Sequence, residues 1–167
     1  MEKRAAQPTV DANANPWGLG SATDPWFFCI GLLGERYAFE ARCALEVIRL
    51  GPLTRLPSSP AFLPGVLNHR GEILAVLDVG ILLCDRPTAL SAGSRAAVVQ
   101  SGPYRLALIA DAVEGLVQIP EAELGPPPAG GTAQAEFVSR VGRDAKGTVV
   151  IFDLDRLIDS ARAKSAA

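Results

Sequence analysis

The feature of this sequence that most limits its possible folds is a series of short β-like runs that starts at Trp26. Turn residues interrupt the runs roughly every eight to twelve positions, which is typical of an all-β barrel or sandwich. Glycine separates two such runs in "LLGERYAFE" and in "VQSGPYRLALI", as it does in β-hairpins. We therefore predict a mainly β fold. The predicted strands are Trp26–Leu33, Arg36–Glu40, Val47–Gly51, Val66–His69, Glu72–Asp78, Arg95–Ser101, Tyr104–Ile109, Glu114–Ile119, Phe137–Arg143 and Gly147–Phe152.

The sequence also repeats itself at low similarity. The run "RYAFEARCALEVIRL" (36–50) resembles "RLALIADAVEGLVQI" (105–119), and a Pro-containing loop follows each. Each half then has a basic residue, a glycine, an apolar run and an aspartate, in "NHRGEILAVLD" (68–78) and "AKGTVVIFD" (145–153). This order predicts two similar small barrels packed together with a groove between them, coincidence among generic hairpins being the alternative.

The helical signal and the domain boundaries are simpler. Short turns are predicted near 40–45 and 79–83, and a terminal helix from Leu154 to about Ala163. Residues 1–24, rich in Ala, Asn, Pro and Gly, are predicted to be disordered, and "ELGPPPAGG" (123–131) to be a loop. We expect one domain over 25–160, with intertwined barrel subdomains at roughly 36–90 and 95–153, and a flexible tail at 161–167.

Composition and charge exclude several classes of partner. A net charge of −2 argues against nucleic acid and anionic membrane surfaces, which are bound through an excess of Lys and Arg. No apolar run is long enough to cross a bilayer and no signal peptide is visible, so we expect a cytoplasmic protein without direct membrane insertion. The three cysteines, Cys29, Cys43 and Cys84, lack C-x-x-C spacing and are expected to be reduced, buried thiols.

The sequence offers no set of residues suited to catalysis or to a cofactor. The single histidine, His69, lies beside a turn glycine, where histidine is usually a solvated surface residue. Ser58 and Ser59 have no G-x-S-x-G context, and no phosphate-binding G-x-x-x-x-G-K-[ST] loop is present. One histidine and scattered cysteines supply no recognisable metal-ligand set. We therefore predict a binding protein that is not an enzyme and has no catalytic residue, cofactor or metal, although an enzyme that uses Cys84 remains an alternative.

Two charged residues and one glycine are candidates for a binding surface. Arg70 is predicted in a tight turn, where Gly71 permits a positive φ and where side chains are exposed. Glu46 lies within the apolar stretch "CALEVIRL", so burying its carboxylate without a partner would be costly. A pair between Glu46 and Arg70 would solve that problem. The alternative is that Arg70 only solvates the end of a hairpin.

With these residues in place, the chain from Trp26 to about Asp159 resembles the CheW-like domain of bacterial chemotaxis coupling proteins. The most specific segment is "LPSSPAFLPGVLNHRGEILAVLDVGILL", and "YAFEARCALEVI", "LALIADAVEGLVQI" and "GTVVIFDLDRLI" match in the same order. The resemblance implies two SH3-like, five-stranded β-barrel subdomains packed together with short helices and a hydrophobic groove between them.

The resemblance also implies a function. Such proteins are adaptors that link the cytoplasmic tip of a methyl-accepting chemotaxis receptor to the regulatory domain of the histidine kinase CheA, in receptor arrays at the membrane. The partner-binding residues it implies are Glu46, Gly65, Asn68, Arg70 and Gly71, with Val113 and Leu116 lining the groove. Position 44 departs from the family pattern, because many relatives have a larger β-branched residue where this chain has alanine. A scaffold in a pathway for surface motility, development or gene regulation is the alternative function.

Overall fold

The computed structural model describes residues 24–127, 129 and 135–166, and these residues form mainly β-strands, as predicted. The strands are β1 (Trp26–Leu32), β2 (Glu35–Glu40), β3 (Ala44–Arg49), β4 (Gly65–His69), β5 (Glu72–Asp78), β6 (Arg95–Ser101), β7 (Tyr104–Ile109), β8 (Ala112–Gln118), β9 (Leu124–Gly125), β10 (Val138–Asp144) and β11 (Gly147–Phe152). The α-helices are α1 (Val79–Cys84) and α2 (Leu154–Ser165), and single 3₁₀ turns cover Ala41–Cys43 and Glu121–Glu123.

The strands form two sheets. The first sheet has the strand order β8-β1-β2-β11-β10-β9, and the second sheet has the order β3-β6-β7-β5-β4. These orders match position by position, because β8 corresponds to β3, β1 to β6, β2 to β7, β11 to β5 and β10 to β4. The similarity between the two halves of the sequence therefore reflects a duplicated arrangement of strands.

The two halves exchange hairpins. The β1–β2 hairpin precedes β3–β5 in the chain but lies in the first sheet, where β2 runs parallel to β11. The β6–β7 hairpin lies in the second sheet, where β7 runs parallel to β5. The predicted division at roughly 36–90 and 95–153 is therefore wrong: the second sheet spans residues 44–109, and the first sheet combines β1–β2 with β8–β11. A repeat shows which segments are alike. It does not show which of the two equivalent hairpins pairs with a given strand.

Each sheet closes on itself. Thr54, beyond β3, exchanges two backbone hydrogen bonds of 2.8 and 2.9 Å with Val66 of β4, which joins the two ends of the second sheet. β9, beyond β8, pairs with β10 in the same way and places Gly125 opposite Val141. β9 lies within the predicted loop 123–131, so the first sheet has six strands where five were predicted. Residues 128, 130 and 131 of that loop lie outside the described residues.

Three apolar clusters stabilise this arrangement. One fills the second barrel and includes Leu74 and Val98, and another fills the first barrel and includes Phe27 and Ile151. The largest cluster, here called the shared core, lies between the sheets and contains residues from both exchanged hairpins and both helices. Its fully buried aromatic residues are Phe28, Tyr37, Phe39 and Phe152. The two barrels therefore pack through an interior as continuous as that of a single domain.

The two segments in which a basic residue and a glycine precede an apolar run form corresponding hairpins. The glycine of the second segment lies one position later relative to the turn than the glycine of the first. In the first, Arg70 and Gly71 are the turn residues between His69 and Glu72. In the second, Ala145 and Lys146 form the turn, so Gly147 is already the first residue of β11. This displacement explains why seven residues separate Gly71 from Asp78 whereas six separate Gly147 from Asp153. In both phrases the aspartate caps the helix that follows.

The helices differ in length for a local reason. α1 ends at Cys84 because Asp85 adopts a left-handed conformation and Pro87 follows. α2 continues to Ser165 because Leu154, Leu157, Ile158 and Ala161 recur at helical spacing and are buried against the shared core. The prediction of a flexible tail is thus wrong for residues 161–165. The predicted disorder of residues 1–24 falls, except for Asp24, outside the described residues.

Candidate partner-binding site

Four of the predicted site residues meet at one end of the second barrel, where β3 faces the turn between β4 and β5. Glu46 of β3 bonds through Oε1 to His69 Nε2, and its Oε2 lies 3.4 Å from Nη1 of Arg70. The predicted pair between Glu46 and Arg70 is therefore present. His69 supplies a second partner that sequence reasoning missed, because the histidine is half-buried rather than solvated.

The β4–β5 turn holds Arg70 in an unusual backbone conformation. Arg70 has φ 53° and Gly71 has φ 82°, so both turn residues are left-handed, as in a type I′ turn. The Oδ1 atom of Asn68 accepts a hydrogen bond of 3.0 Å from the amide of Gly71 and fixes the turn. A left-handed conformation suits glycine but costs a side-chain-bearing residue about 1–2 kcal/mol. The side chain of Arg70 is 77% exposed, so its ion pair with Glu46 compensates little of that cost.

Gly65 lies at the opposite end of β4 from this turn. It is buried at the start of β4, and a Cβ atom at this position would lie 2.5 Å from the carbonyl oxygen of Thr54. A glycine is needed there because the chain that closes the barrel passes directly over it. Gly65 therefore permits the closure of the second barrel and is not brought together with Glu46 and Arg70.

Val113 and Leu116 are located elsewhere, on β8 at the edge of the first sheet. Both are half-buried and pack against the shared core, as Val47 of β3 does from the second sheet. β8 and β3 are thus the two edge strands that bring partly exposed apolar side chains to the boundary between the barrels. That these residues line a partner-binding groove stays a prediction.

The corresponding corner of the first barrel has a closed network of charges. Arg36 bonds to Asp144 at 2.6 Å and to Glu114 at 2.7 Å, and Lys146 lies 3.2 Å from Glu114. The Arg36 guanidinium lowers the pKa of Glu114 to about 2 and also lowers the pKa of Asp144. The basic turn residue of this barrel, Lys146, is 70% exposed and pairs with Glu114 of β8, much as Arg70, 77% exposed, pairs with Glu46 of β3.

The three cysteines are free thiols, and Cys29 donates a hydrogen bond of 3.2 Å to the carboxylate of Glu114. Burial raises the pKa of Cys29 to about 12 and that of Cys43 to about 11, so both thiols stay protonated. Cys84 is half-buried, its thiol lies 3.6 Å from the hydroxyl of Tyr37, and burial raises its pKa as well. None of the three has the lowered pKa of a reactive thiolate.

Within the described residues the structure shows a cavity but no candidate metal site. Among them, no group of three or more His, Cys, Asp and Glu side chains is placed to hold a metal ion. A cavity of about 200 Å³ lies beside the start of α2. Its Arg42 is already paired with Glu40 and with Asp155. No helix in the part of the chain that the structure describes is long and apolar enough to span a bilayer.

Two interlocked barrels with a charged, exposed turn at one corner define a β-structured domain of the CheW-like class. Residues 27–162 match the model of the CheW-like domain, and the chain belongs to this family. It is 36% identical to Protein FrzA of Myxococcus xanthus over 143 residues, which cover 84% of this chain and 89% of FrzA.

Two further relatives bear the family name. The chain is 20% identical to the chemotaxis protein CheW of Klebsiella aerogenes, over 84% of this chain and 86% of that protein. Among solved structures it resembles the scaffolding protein TtCheW from Thermoanaerobacter tengcongensis, with a TM-score of 0.72 and 27% identity. That match covers 80% of this chain and 92% of TtCheW. The predicted fold class is thereby confirmed.

Proposed function

We propose that this protein is a non-enzymatic adaptor that couples the cytoplasmic tips of chemoreceptors to the regulatory domain of the histidine kinase CheA. The observation that carries the proposal is the state of Arg70, which is 77% exposed and left-handed at the corner of the second barrel. Backbone strain at an exposed charged residue is typical of functional sites. Family membership supports the same reading.

The shared core suits a coupling role. Coupling requires that a partner bound at one surface affects a partner bound at another, and this requires a stiff connection between the two surfaces. The exchanged hairpins and both helices contribute to one apolar interior. In this proposal, the corner around Arg70 and the β3–β8 boundary are two surfaces of one rigid body.

Each predicted site residue other than Gly65 has a role in the proposal. Arg70 orients the kinase regulatory domain, because an exposed guanidinium contributes more to orientation than to affinity. Glu46 and His69 form the base of the corner, and Asn68 and Gly71 shape its turn. Val113 and Leu116, at the β3–β8 boundary, contact the apolar face of a receptor helix.

The proposal places the protein in the cytoplasm, recruited to receptor arrays at the membrane, and assigns it no cofactor. The raised pKa values of Cys29 and Cys43 and the paired charges of the protein support a non-enzymatic role. Nucleic acid is not a proposed partner, because the chain has a net charge of −2.

The test is sedimentation of the full chain with receptor-bearing membranes and CheA, with kinase activity measured in the same samples. The wild-type chain should bring kinase activity under receptor control, and Arg70→Glu should fold normally but lose that control. Arg86→Glu is the matched control, because Arg86 is also an exposed arginine but lies in the loop after α1. A wild-type chain that fails to link kinase and receptor overturns the proposal, and an active Arg70→Glu variant removes Arg70 from the site.

A second candidate is a CheW-like scaffold in a pathway that controls surface motility, development or gene regulation. The observation that favours it is the identity to FrzA, 36%, against 20% and 24% to two relatives that bear the CheW name. Deleting the gene and scoring swimming and surface spreading separately distinguishes the two. Loss of swimming supports the first candidate, and loss of surface spreading alone supports the second.

A further inference from the structure

Arg49 of β3 and Arg95 of β6 lie directly opposite each other on neighbouring antiparallel strands. The amide of Leu50 donates a 2.9 Å hydrogen bond to the carbonyl oxygen of Ser94. The two arginines are therefore a non-hydrogen-bonded pair, the kind in which opposing side chains come closest. Both residues are exposed, and neither side chain has an ion-pair or hydrogen-bond partner among the described residues. Two uncompensated positive charges thus lie side by side at one end of the second barrel.

This arginine pair lowers the stability of the strands that hold it, because like charges directly opposite each other destabilise a sheet. Most other arginines of the described residues have a carboxylate partner, as Arg36 has in Asp144 and Arg105 has in Glu72. The arginine pair has no such compensation inside the molecule. Its charge is therefore available to an anion that comes from outside.

The first barrel provides an internal comparison for the arginine pair. At the matching positions it has Trp26 of β1 and Gln118 of β8, which also lie opposite each other. Gln118 donates a 3.3 Å hydrogen bond from Nε2 to the carbonyl oxygen of Asp24. A pair without charge therefore satisfies the same arrangement of strands. The architecture does not require the two arginines of the second barrel.

The arginine pair lies on the face of the second sheet that points towards the boundary between the barrels. Two residues along each strand, Val47 and Ala97 lie opposite each other, and both contact the shared core. Residues two positions apart in a strand share a face. Ile48, between Val47 and Arg49, instead packs against the interior of the second barrel. The arginine pair is thus the charged end of the β3–β8 boundary.

We propose that Arg49 and Arg95 bind two carboxylates of the receptor helix at the β3–β8 boundary, and that they select helices with acidic side chains beside the apolar face. This inference rests on the proposed adaptor function and names the chemistry of its receptor contact. Guanidinium groups bind carboxylates through paired hydrogen bonds. Two positive charges in a chain of net charge −2 are too few to bind nucleic acid or an anionic membrane.

The spacing of the arginine pair suits a helical partner. Directly opposed residues of an antiparallel pair have Cβ atoms about 4.5–5.5 Å apart. Residues three or four positions apart on a helix have Cβ atoms about 5–6 Å apart and lie on the same face. Two acidic residues at this helical spacing can therefore each meet one guanidinium. An apolar residue on the adjoining face of the same helix then reaches the half-buried Val47.

The first test measures the stability of the full chain. Arg49→Gln and Arg95→Gln should each raise the melting temperature by about 1–3 °C, because each removes the repulsion between the arginines. Arg49→Glu should raise it further, since it places a carboxylate opposite Arg95. Arg86→Gln is the matched control, because Arg86 is an exposed arginine in the loop after α1, and it should leave the melting temperature unchanged. A lower melting temperature for both glutamine variants would give the pair a structural role and overturn the proposal.

The second test measures sedimentation with receptor-bearing membranes. The double variant Arg49→Gln/Arg95→Gln should bind about tenfold more weakly than wild type at about 50 mM salt, and within about twofold of it at about 500 mM salt, because salt screens exposed charges. Arg49→Glu should also bind weakly, although it is the more stable protein. Arg86→Gln should bind like wild type. Binding to CheA should be the same for all variants.

Each other outcome has a definite meaning. Equal binding of the double variant and wild type at low salt overturns the inference and leaves the adaptor function standing. Loss of CheA binding with intact receptor binding also overturns it, because the arginines would then contact the kinase. Arginine-dependent binding of wild type to receptor-free vesicles of the same lipids overturns it too, because the anion would be a lipid headgroup. A wild-type chain that does not sediment with receptor-bearing membranes overturns the proposed function itself.

Discussion

Asp78 and Asp153 occupy matching positions in the two halves: the backbone amide of each donates a 2.8 Å hydrogen bond to an aromatic residue's carbonyl, Phe62 for Asp78 and Phe137 for Asp153. Each carboxylate also caps the helix that follows it. Their surroundings differ, because Asp78 is buried and also bonds to the amide and hydroxyl groups of Thr88. The side chain of Asp153 is 41% exposed.

This difference predicts unequal effects of the same substitution. Asp153→Ala should lower the free energy of unfolding by about 1 kcal/mol, the usual effect of losing a helix cap. Asp78→Ala should lower it by about 2–4 kcal/mol, because two polar groups of Thr88 also lose a charged partner in a buried place. Urea unfolding of both variants measures the two values. Equal losses would contradict the role assigned to Thr88.

Gly65 should be intolerant of even a single methyl group. Gly65→Ala places a Cβ atom against the carbonyl oxygen of Thr54, so we expect a loss of about 1–3 kcal/mol as the barrel closure shifts. Gly93→Ala is the control, because a Cβ atom there meets nothing within 4 Å and the backbone has no positive φ. Thermal unfolding followed by circular dichroism compares them. The explanation fails if both variants melt together with wild type.

The strain at Arg70 predicts that stability and binding change in opposite directions. Arg70→Asn should raise the free energy of unfolding by about 0.5–1 kcal/mol, because asparagine tolerates the left-handed conformation better. It should also weaken receptor control of the kinase, under the proposed function. Leu33→Asn is a matched control in the β1–β2 turn, where Leu33 has φ 52°. Leu33→Asn should stabilise the protein similarly without affecting receptor control of the kinase. If Arg70→Asn increased both the free energy of unfolding and the receptor control of the kinase, the proposed site would be contradicted.

The network around Arg36 should make stability depend on acid. The pKa of Glu114 is about 2 in the folded state and near 4.5 in the unfolded state, so the unfolded chain takes up the proton first. The stabilisation is complete above about pH 4.5 and is lost as the pH falls towards 2. Replacing Glu114 with Gln should therefore cost about 1–2 kcal/mol at pH 6 and progressively less at lower pH. Urea unfolding between pH 6 and pH 3 tests this, and a constant difference would contradict it.

Thiol labelling should separate the three cysteines. Cys84 is half-buried and should react with an aromatic disulfide reagent under native conditions, whereas Cys29 and Cys43 should react only after unfolding. The pKa values of about 12 and 11 add to the protection that burial gives the latter two. Mass spectrometry of the labelled peptides identifies the sites. Rapid native labelling of Cys29 would show that the first barrel opens readily.

Local features of the fold were predictable because local sequence determines them. The period-two runs predicted the strands, and β5, β6, β7 and β11 match the predicted bounds. The bounds of β3 were displaced: it begins at Ala44, because the 3₁₀ turn before it takes up only three residues. The contact between Glu46 and Arg70 followed from the cost of burying an unpaired carboxylate.

Long-range features were not predictable from this sequence. The exchange of hairpins depends on which of two similar halves supplies each partner strand. The repeat alone does not predict this. Arg36 lies 78 residues from Glu114 and 108 residues from Asp144 in the sequence, so no local pattern predicts that these charges form ion pairs. His69 was misread for the same reason, because its partner Glu46 lies 23 residues away on an edge strand.

The exchanged hairpins have a consequence for the order in which the chain matures during synthesis. β2 ends at Glu40 and pairs with β11, which starts at Gly147. The first barrel therefore stays incomplete until the residues of β11 have been synthesised. Every strand of the second barrel lies between Ala44 and Ile109, and it can assemble earlier. We therefore expect the second barrel to form first, and the β1–β2 hairpin to complete the first barrel once β8–β11 are available.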